Sequence, residues 1–309
     1  MTQNNLTSAL HLSADWDNAH GPIPVRMTND YLFRALLQRN KRVLKALVCS
    51  LLHLYSNEVQ SVTILNPIEL GKTIDDKDFI LDIKVELNKN TVINLEMQVL
   101  NEGNWPERSL SYLCRAFDNL NHGENYKDVR PVAQIGFLNY TLFEDSPEFY
   151  ATYQLLNTRN HRLYSDKLRL CVVDLTKISL ATKEDRQYEI DHWAALFKAT
   201  TWEELKMLAK SNPVIEDAAT TVYQLTQEEK IRQQIEARED YYRRTAGREE
   251  LLKETLAKKE HLEEEIRQLS SEKELLANEK EILVNQNEHL TDEIVRLKTL
   301  LAEHDINAE

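Results

Sequence analysis

Glycine, proline and cysteine are scarce in this sequence of 309 residues, and their scarcity excludes several classes of protein. There are six glycines, seven prolines and three cysteines. The glycines form neither GxxxxGK[ST] nor GxGxxG, which excludes the common phosphate-binding and dinucleotide-binding loops. HExxH and GxSxG are also absent, so neither a zinc protease of that type nor an α/β-hydrolase is indicated.

The cysteines and the N-terminal residues carry no sign of export. Cys49, Cys114 and Cys171 lie far apart in apolar segments without CxxC spacing, so we expect reduced, packed thiols rather than a metal site or disulfide. Residues 1–20 have neither a basic start nor an apolar run, and no stretch approaches the length of a membrane span. The sequence therefore predicts a cytoplasmic protein with no membrane association.

Acidic residues outnumber basic ones, but unevenly along the chain. The net charge is −13, and Glu228–Glu309 holds 22 acidic and 14 basic residues, a net of −8. The first 227 residues therefore carry only −5. A mildly acidic domain can still bind nucleic acid if its basic groups cluster, because phosphate contacts are local.

What the sequence does contain is a clear hairpin pattern in Asp78–Val99. Apolar residues alternate with polar ones in two runs, which predicts two strands with one apolar and one polar face. The polar residues are Asp82, Lys84 and Glu86 in the first strand, and Asn94, Glu96 and Gln98 in the second. Such a face is either ordinary solvated surface or a site.

The turn between the strands predicts their register. Asn88–Asn90 suits a three-residue loop, because Asn tolerates the left-handed conformation that such loops need. Leu87 then pairs with Thr91, and Asp82 lies opposite Glu96. Like charges paired in this way are destabilising unless something lies between them, and a divalent cation bound by carboxylate oxygens would do so.

Asp82 followed by Glu96-Met97-Gln98 resembles the PD-(D/E)XK nuclease superfamily, in the variant where Gln replaces the usual Lys. Four further segments resemble the Rpn family of recombination-promoting nucleases, also called PD-(D/E)XK family transposases. These segments are TNDYLFRALL (Thr28–Leu37), ILDIKVELNKNTVINLEMQ (Ile80–Gln98), ERSLSYLCRAFDNLNHGENYKDVRPVAQIGFL (Glu107–Leu138) and RLYSDKLRLCVVDLTK (Arg162–Lys177). The resemblance covers about half of the chain, in the expected order.

This resemblance implies an α/β fold with the αβββαβ core of restriction-endonuclease-like proteins, and the order of the predicted elements agrees with it. It also implies a DNA endonuclease in which Asp82 and Glu96 hold Mg²⁺, with Mn²⁺ as an alternative ion, and Gln98 is the third catalytic residue. Lys84 on the same face is a candidate for the charge that Gln98 lacks, although a salt bridge to Glu86 or Glu96 explains it equally well.

Two helices carry further candidate site residues. Asp30 lies in the first turn of a helix that begins near Thr28 or Asn29, where it either stabilises the helix N-terminus or matches a metal-binding acid of the family. A second helix, from Pro106 to about Leu120, has a polar face with Arg108, Tyr112 and Arg115. This face either contacts the DNA backbone or is merely solvated.

The C-terminal region predicts a coiled coil, because no proline follows Pro213 and a heptad pattern begins at Leu262. The d positions are Leu262, Leu269, Leu276, Leu283, Leu290 and Leu297, and the a positions are Ile266, Lys273, Lys280, Asn287, Ile294 and Leu301. Leu at d with polar residues at a favours a parallel homodimer over a lone helix or a coil packed on its own domain.

The sequence thus predicts four regions and leaves two functions open. The regions are an N-terminal extension (1–26), a nuclease-like domain (27–180), a helical region (181–245) and a coiled coil (246–309). The favoured function is a Mg²⁺-dependent DNA endonuclease of the recombination or transposase type. The alternative is a catalytically inactive nuclease fold that acts as a dimeric DNA-binding or scaffold protein, since Gln98 carries no charge.

Overall fold

A computed structural model describes residues 16–68, 70 and 82–303 of the chain. Three predicted features fall partly outside the described residues: the N-terminal extension at 1–15, the first hairpin strand at 78–81, and the predicted coiled coil at 304–309. The remaining elements can be compared with the sequence predictions directly.

Two consecutive helices precede the sheet, α1 at Asp30–Arg39 and α2 at Lys41–Leu52. Asn29 caps α1 by accepting a hydrogen bond of 3.1 Å from the Leu32 amide, which selects one of the two predicted start sites. Asn40 ends α1 and caps α2 in the same way. Asn40 therefore separates two helices that follow each other directly in the sequence.

A six-stranded sheet in the order β1-β2-β3-β4-β6-β5 forms the centre of the molecule. The strands are β1 (Val62–Ile64), β2 (Ile83–Leu87), β3 (Thr91–Gln98), β4 (Val132–Leu138), β5 (Tyr150–Tyr153) and β6 (Leu168–Asp174). The β3–β4 and β4–β6 pairs are parallel and the others antiparallel. The three parallel strands consequently end at the same edge of the sheet.

The register predicted for the β2–β3 hairpin is confirmed, with Leu87 paired to Thr91. Asn88 and Lys89 in the loop have φ values of 51° and 56°, the left-handed region that Asn tolerates. The Asn88 side chain also accepts hydrogen bonds from the backbone amides of the segment before β1, including that of Ser61 at 3.1 Å. Local turn chemistry thus fixes which side chains share a face.

Helices cover both faces of the sheet. The apolar face of the hairpin, with Ile93 and Leu95, belongs to the main core that also contains the buried residues of α1 and α2. The other face carries a smaller core around Val92, covered by α3 (Trp105–Phe117). Asn94 and Glu96 of β3, on that face, are therefore buried beneath a helix and are not solvated surface, whereas Gln98 at the strand end is half-buried.

Five more helices complete the described chain: α4 (Lys183–Gln187), α5 (Ile190–Lys198), α6 (Trp202–Ala209), α7 (Pro213–Gln227) and α8 (Glu229–Glu303). Thr201 and Glu204 form a capping box at the start of α6. Glu189, with φ 58°, separates α4 from α5. Overall, this mixed α/β architecture is consistent with the predicted core, and β5 and β6 extend its sheet.

The chain divides into two compact units at Arg243/Arg244. Helix α8 contributes its first residues to the first unit, where Ile231 and Ile235 are buried in the main core. In the described part of the second unit the chain is helical to Glu303.

No helix among the described residues is long and apolar enough to cross a membrane. All three cysteines are free, but Cys114 is exposed on α3, which corrects the expectation that it packs.

Candidate functional site

Glu96 lies near the end of β3, on the face covered by α3. Its neighbour on β4 is Gly136, and Trp105 of α3 packs directly against that glycine. A Cβ at position 136 would lie 2.0 Å from the Trp105 ring, so only glycine permits this close approach. The first turns of α3 are thereby held against the sheet, with Arg108 one turn beyond Trp105.

Arg108 binds Glu96 through one carboxylate oxygen. Its Nε and Nη2 atoms donate to Glu96 Oε1 at 2.9 and 2.7 Å. The second oxygen, Oε2, is buried, and no described residue donates a hydrogen bond to it. A buried carboxylate oxygen without a donor is costly, so this atom is available to a cation or a proton.

The surroundings of Glu96 disfavour its charged form. The pKa of Glu96 is raised to about 7, chiefly by burial; the positive charge of Arg108 opposes this shift, and the negative charges of Asp82 and Asp30 contribute to it. A carboxyl group whose pKa lies near neutral pH, close to a second carboxylate, is a common feature of active sites.

Asp82 immediately precedes β2, in which Ile83 pairs with Leu95, and extending that register by one residue places Asp82 opposite Glu96. Burial raises the pKa of Asp82, and the positive charge of Arg34 opposes that shift. The backbone carbonyl of Asp82 accepts hydrogen bonds from the Arg34 guanidinium and from Asn66 Nδ2, the latter at 3.0 Å. These contacts fix the backbone that presents the carboxylate.

Arg34 was missed as a positioning residue by the sequence analysis. It is 1% exposed in the interior, and besides Asp82 it donates to the carbonyl of Asn66. Asn66 in turn accepts a 2.8 Å hydrogen bond from the Lys84 amide. The only sequence signal for Arg34 is its place among apolar residues of α1, one helical turn after Asp30.

Asp30, the family-position acid, is held by an arginine from the start of α8. Arg238 Nε lies 2.9 and 2.7 Å from the two Asp30 oxygens, and Nη2 lies 2.5 Å from Oδ2. Both side chains are largely buried, with 7% of Asp30 and 13% of Arg238 exposed. The sequence gives no indication of this pair, because the two residues are 208 positions apart.

Gln98 and Lys84 are placed differently with respect to the site. Gln98 ends β3, donates a 3.1 Å hydrogen bond to the Leu100 carbonyl and lines a cavity of about 120 Å³. Lys84 pairs with Asn94 in the hairpin and is not among the described residues that line that cavity. Of the two, only Gln98 lies beside the cavity.

The remaining predicted residues lie along α3. The Arg108 guanidinium is 5.5 Å from the centre of the Tyr112 ring, so these two residues share the face next to Glu96. Arg115 is exposed two turns further on. The described part of the structure contains no group of three or more His, Cys, Asp or Glu side chains arranged to hold a metal ion. A metal here would rest on two carboxylates.

Two carboxylates fit a hard divalent cation, which commonly takes one or two protein carboxylates and completes its coordination with water and phosphate oxygens. Glu96 Oε2 is the specific observation in favour of this fit, because it is buried and lacks a donor among the described residues. Asp30 is a less available metal ligand than Glu96, since Arg238 already contacts both of its oxygens.

A mixed sheet with an acidic residue before one central strand and Glu-Met-Gln on the next is consistent with the PD-(D/E)XK nuclease class. The chain belongs to the PD-(D/E)XK nuclease family transposases, because the model of that family matches residues 27–247. No curated protein and no solved structure is significantly similar to the chain. Family membership indicates a nuclease or transposase role on DNA, and nucleases of this kind usually use divalent metals.

Proposed function

We propose that the chain is a divalent-metal-dependent DNA endonuclease of the recombination or transposase type, with Mg²⁺ as its ion and Mn²⁺ as an alternative. The observation that carries the proposal is the buried Glu96 Oε2, without a donor among the described residues, opposite Asp82 in the family-matched region. Asp82 and Glu96 would hold the metal. When bound, the metal supplies an activated water and stabilises charge on the phosphate.

The chain's own residues have defined tasks in this proposal. Arg34 and Asn66 hold the Asp82 backbone, and Arg108 orients Glu96 through Oε1 so that Oε2 faces the site. Gln98 positions water or a phosphate oxygen by hydrogen bonding, since an amide can donate and accept but cannot supply charge. Arg108, Tyr112 and Arg115 contact the DNA backbone.

A plasmid-nicking assay tests the proposal. The wild-type chain should nick supercoiled DNA with Mg²⁺ and not with EDTA, and Asp82→Ala should be inactive. Glu86→Ala is a matched control, because Glu86 lies on the same strand face but pairs with Arg130 at 2.8 Å, outside the site. Equal nicking by wild type and Asp82→Ala would refute the proposed site.

A second candidate function is an inactive nuclease fold that binds DNA as a dimer. Gln98 favours it, because an amide cannot replace the charge that Lys supplies at this position in the superfamily. DNA binding by a wild-type protein that neither nicks DNA nor binds Mg²⁺ or Mn²⁺ would support this candidate over the first.

We also propose that the C-terminal region forms a parallel homodimeric coiled coil. The six Leu side chains at the d positions are between 53% and 64% exposed in the single chain, and a repeating apolar row of this kind matches the seam of a second copy. Lys and Asn at a positions favour two strands, because they can reach solvent in a dimer. A dimer would supply two active sites for the two strands of DNA.

A further inference from the structure

The cavity beside Gln98 has two guanidinium groups in its wall. It lies at the end of β3 and has a volume of about 120 Å³, and its lining includes Gln98, Arg108 and Arg238 together with the carboxylates of Asp30 and Glu102. Two arginines from distant parts of the chain therefore converge next to the carboxylates of the candidate site. Arginine is the preferred side chain for binding phosphate, because its planar group offers several donors.

Arg238 is held rigidly in this wall. Asp30 binds its Nε and Nη2 atoms, and the guanidinium lies over the Tyr241 ring at 4.4 Å from the ring centre. Side-chain ordering normally costs free energy upon binding, and a group that is already ordered avoids that cost. Arg238 is thus suited to bind an anion, because its guanidinium is already ordered before the anion binds.

The other basic residues near the site have different positions or partners. Arg34 donates to two backbone carbonyls, and Arg108 binds Glu96 with Glu102 nearby at 3.8 Å. Lys84 is not among the described residues that line the cavity. Arg238 also has a partner, Asp30, but among these described residues it is the one that lines the cavity without contacting Glu96. It can therefore supply, beside Gln98, the charge that the superfamily Lys would provide.

A purely structural role for Arg238 is a weaker explanation. The same turn of α8 is already attached to the region before α1, because Glu239 contacts both Asn29 and Arg26 at 2.9 Å. A buried ion pair adds little stability on balance, since desolvation of both charges offsets most of their attraction. Because both members of this ion pair also line the cavity beside Gln98, the pair points to a function beyond the attachment of α8.

We infer that this cavity is a phosphate subsite in which Arg238, positioned by Asp30, binds a phosphate oxygen of DNA beside Gln98. The inference rests on the proposed function for its ligand, DNA, but not on cleavage. Arg238 is the contacting residue, and Asp30 is a positioning residue that acts through it.

Duplex binding in EDTA tests the subsite without metal or cleavage. The salt dependence of the affinity of the full-length chain for a short DNA duplex counts phosphate contacts. Arg238→Gln should weaken binding roughly tenfold, as for a lost hydrogen bond to a charged group, and should reduce the salt slope by about one. Arg238→Lys should keep most of the slope.

Arg26→Gln is the matched control. It removes one positive charge and one ion pair to the same turn of α8, but Arg26 is 52% exposed and is not among the described residues that line the cavity. Its salt slope should equal that of the wild type. Thermal unfolding shows which variants fold. If Arg238→Gln does not fold, Arg238→Lys is compared with the wild type instead. It should keep the salt slope and bind the duplex more weakly than the wild type.

Three outcomes overturn the subsite. These are an unchanged slope in a folded Arg238→Gln, an equal loss of slope in Arg26→Gln, and failure of the wild type to bind a duplex. If only Arg238→Lys folds, an affinity equal to the wild type also overturns it. Failure of a DNA-binding wild type to nick in Mg²⁺ refutes the nuclease but leaves the subsite in place.

Discussion

Arg108 satisfies one carboxylate oxygen of Glu96 and leaves the other, Oε2, buried with no donor among the described residues. The arginine therefore orients the carboxylate but neutralises it only in part, since burial still raises the pKa of Glu96 to about 7. At the proposed site, a proton at low pH and a cation at high pH would compete for this oxygen. Competition between the two gives the first prediction.

The metal-free chain should lose stability as the pH rises through about 7, because of Glu96. The pKa of Glu96 is about 7 in the folded state and about 4.5 in the unfolded state. The contribution of Glu96 to stability is therefore fully present below pH 4.5 and is lost as the pH rises from there through about 7. Glu96→Gln should remove this dependence and stabilise the protein at pH 8 by on the order of 2 kcal/mol. Thermal unfolding from pH 4 to pH 8 measures both effects.

Glu86→Gln is the control for this experiment, because it changes a carboxylate on the same hairpin face that is paired with Arg130. It should retain the pH dependence of the wild type. If Glu96→Gln and the wild type lose stability in parallel between pH 5 and pH 8, Glu96 is not the group that titrates.

The second prediction separates the two arginines of α3. Arg108→Ala removes the positive charge that lowers the pKa of Glu96, so the loss of stability should move to higher pH. Arg115 is exposed further along the helix, and Arg115→Ala should leave that range of pH unchanged. Identical pH profiles for the two variants would contradict the specific role of Arg108.

Both variants should nevertheless weaken DNA binding about equally across sequences, and each should reduce the salt slope by about one. Filter binding or fluorescence anisotropy at several salt concentrations measures this. A change in sequence preference with an unaltered slope would show that these residues do not contact the backbone.

The hairpin was predictable from sequence because its determinants are local. Alternation of apolar and polar residues sets the faces, and Asn88 in the loop sets the register that places Asp82 opposite Glu96. The helix caps at Asn29 and Thr201 are local in the same sense.

The contacts that complete the candidate site were not predictable, because they join distant parts of the chain. Arg238 lies 208 residues after Asp30, and only the packing of α8 against α1 brings them together. Burial of Glu96 beneath α3 depends on Gly136, which has no local significance in its own strand. A sequence pattern shows which face is polar but not what covers it.

The third prediction concerns Gln98. Gln98→Ala should reduce cleavage severely without altering Mg²⁺ affinity, because Gln98 lines the cavity but is not one of the proposed metal ligands. Gln98→Lys should preserve or raise the rate, since it restores the charge common in the superfamily. Single-turnover cleavage together with calorimetric titration of Mg²⁺ measures rate and affinity separately. A large loss of metal affinity in Gln98→Ala would contradict the assigned role.

The fourth prediction decides between two roles of Asp30. Because Arg238 contacts both of its oxygens, Asp30→Asn should leave Mn²⁺ affinity close to that of the wild type. Asp82→Ala should abolish it under the same conditions. Calorimetric titration with Mn²⁺ makes the comparison, and a parallel loss of affinity in Asp30→Asn would assign Asp30 to the metal, as the family resemblance implied.

The last prediction tests the dimer with a pair of neighbouring leucines on α8. Leu276 occupies a d position of the heptad, whereas Leu275 is 68% exposed and lies off the predicted seam. Leu276→Lys should weaken the dimer by burying charge in an apolar seam, while Leu275→Lys should leave it intact. Light scattering at micromolar concentration measures the mass of each variant. A chain that ends at Arg248 should be monomeric, and it keeps Ile231 and Ile235 in the core. A monomeric full-length wild type, or equal effects of the two substitutions, would refute the coiled coil.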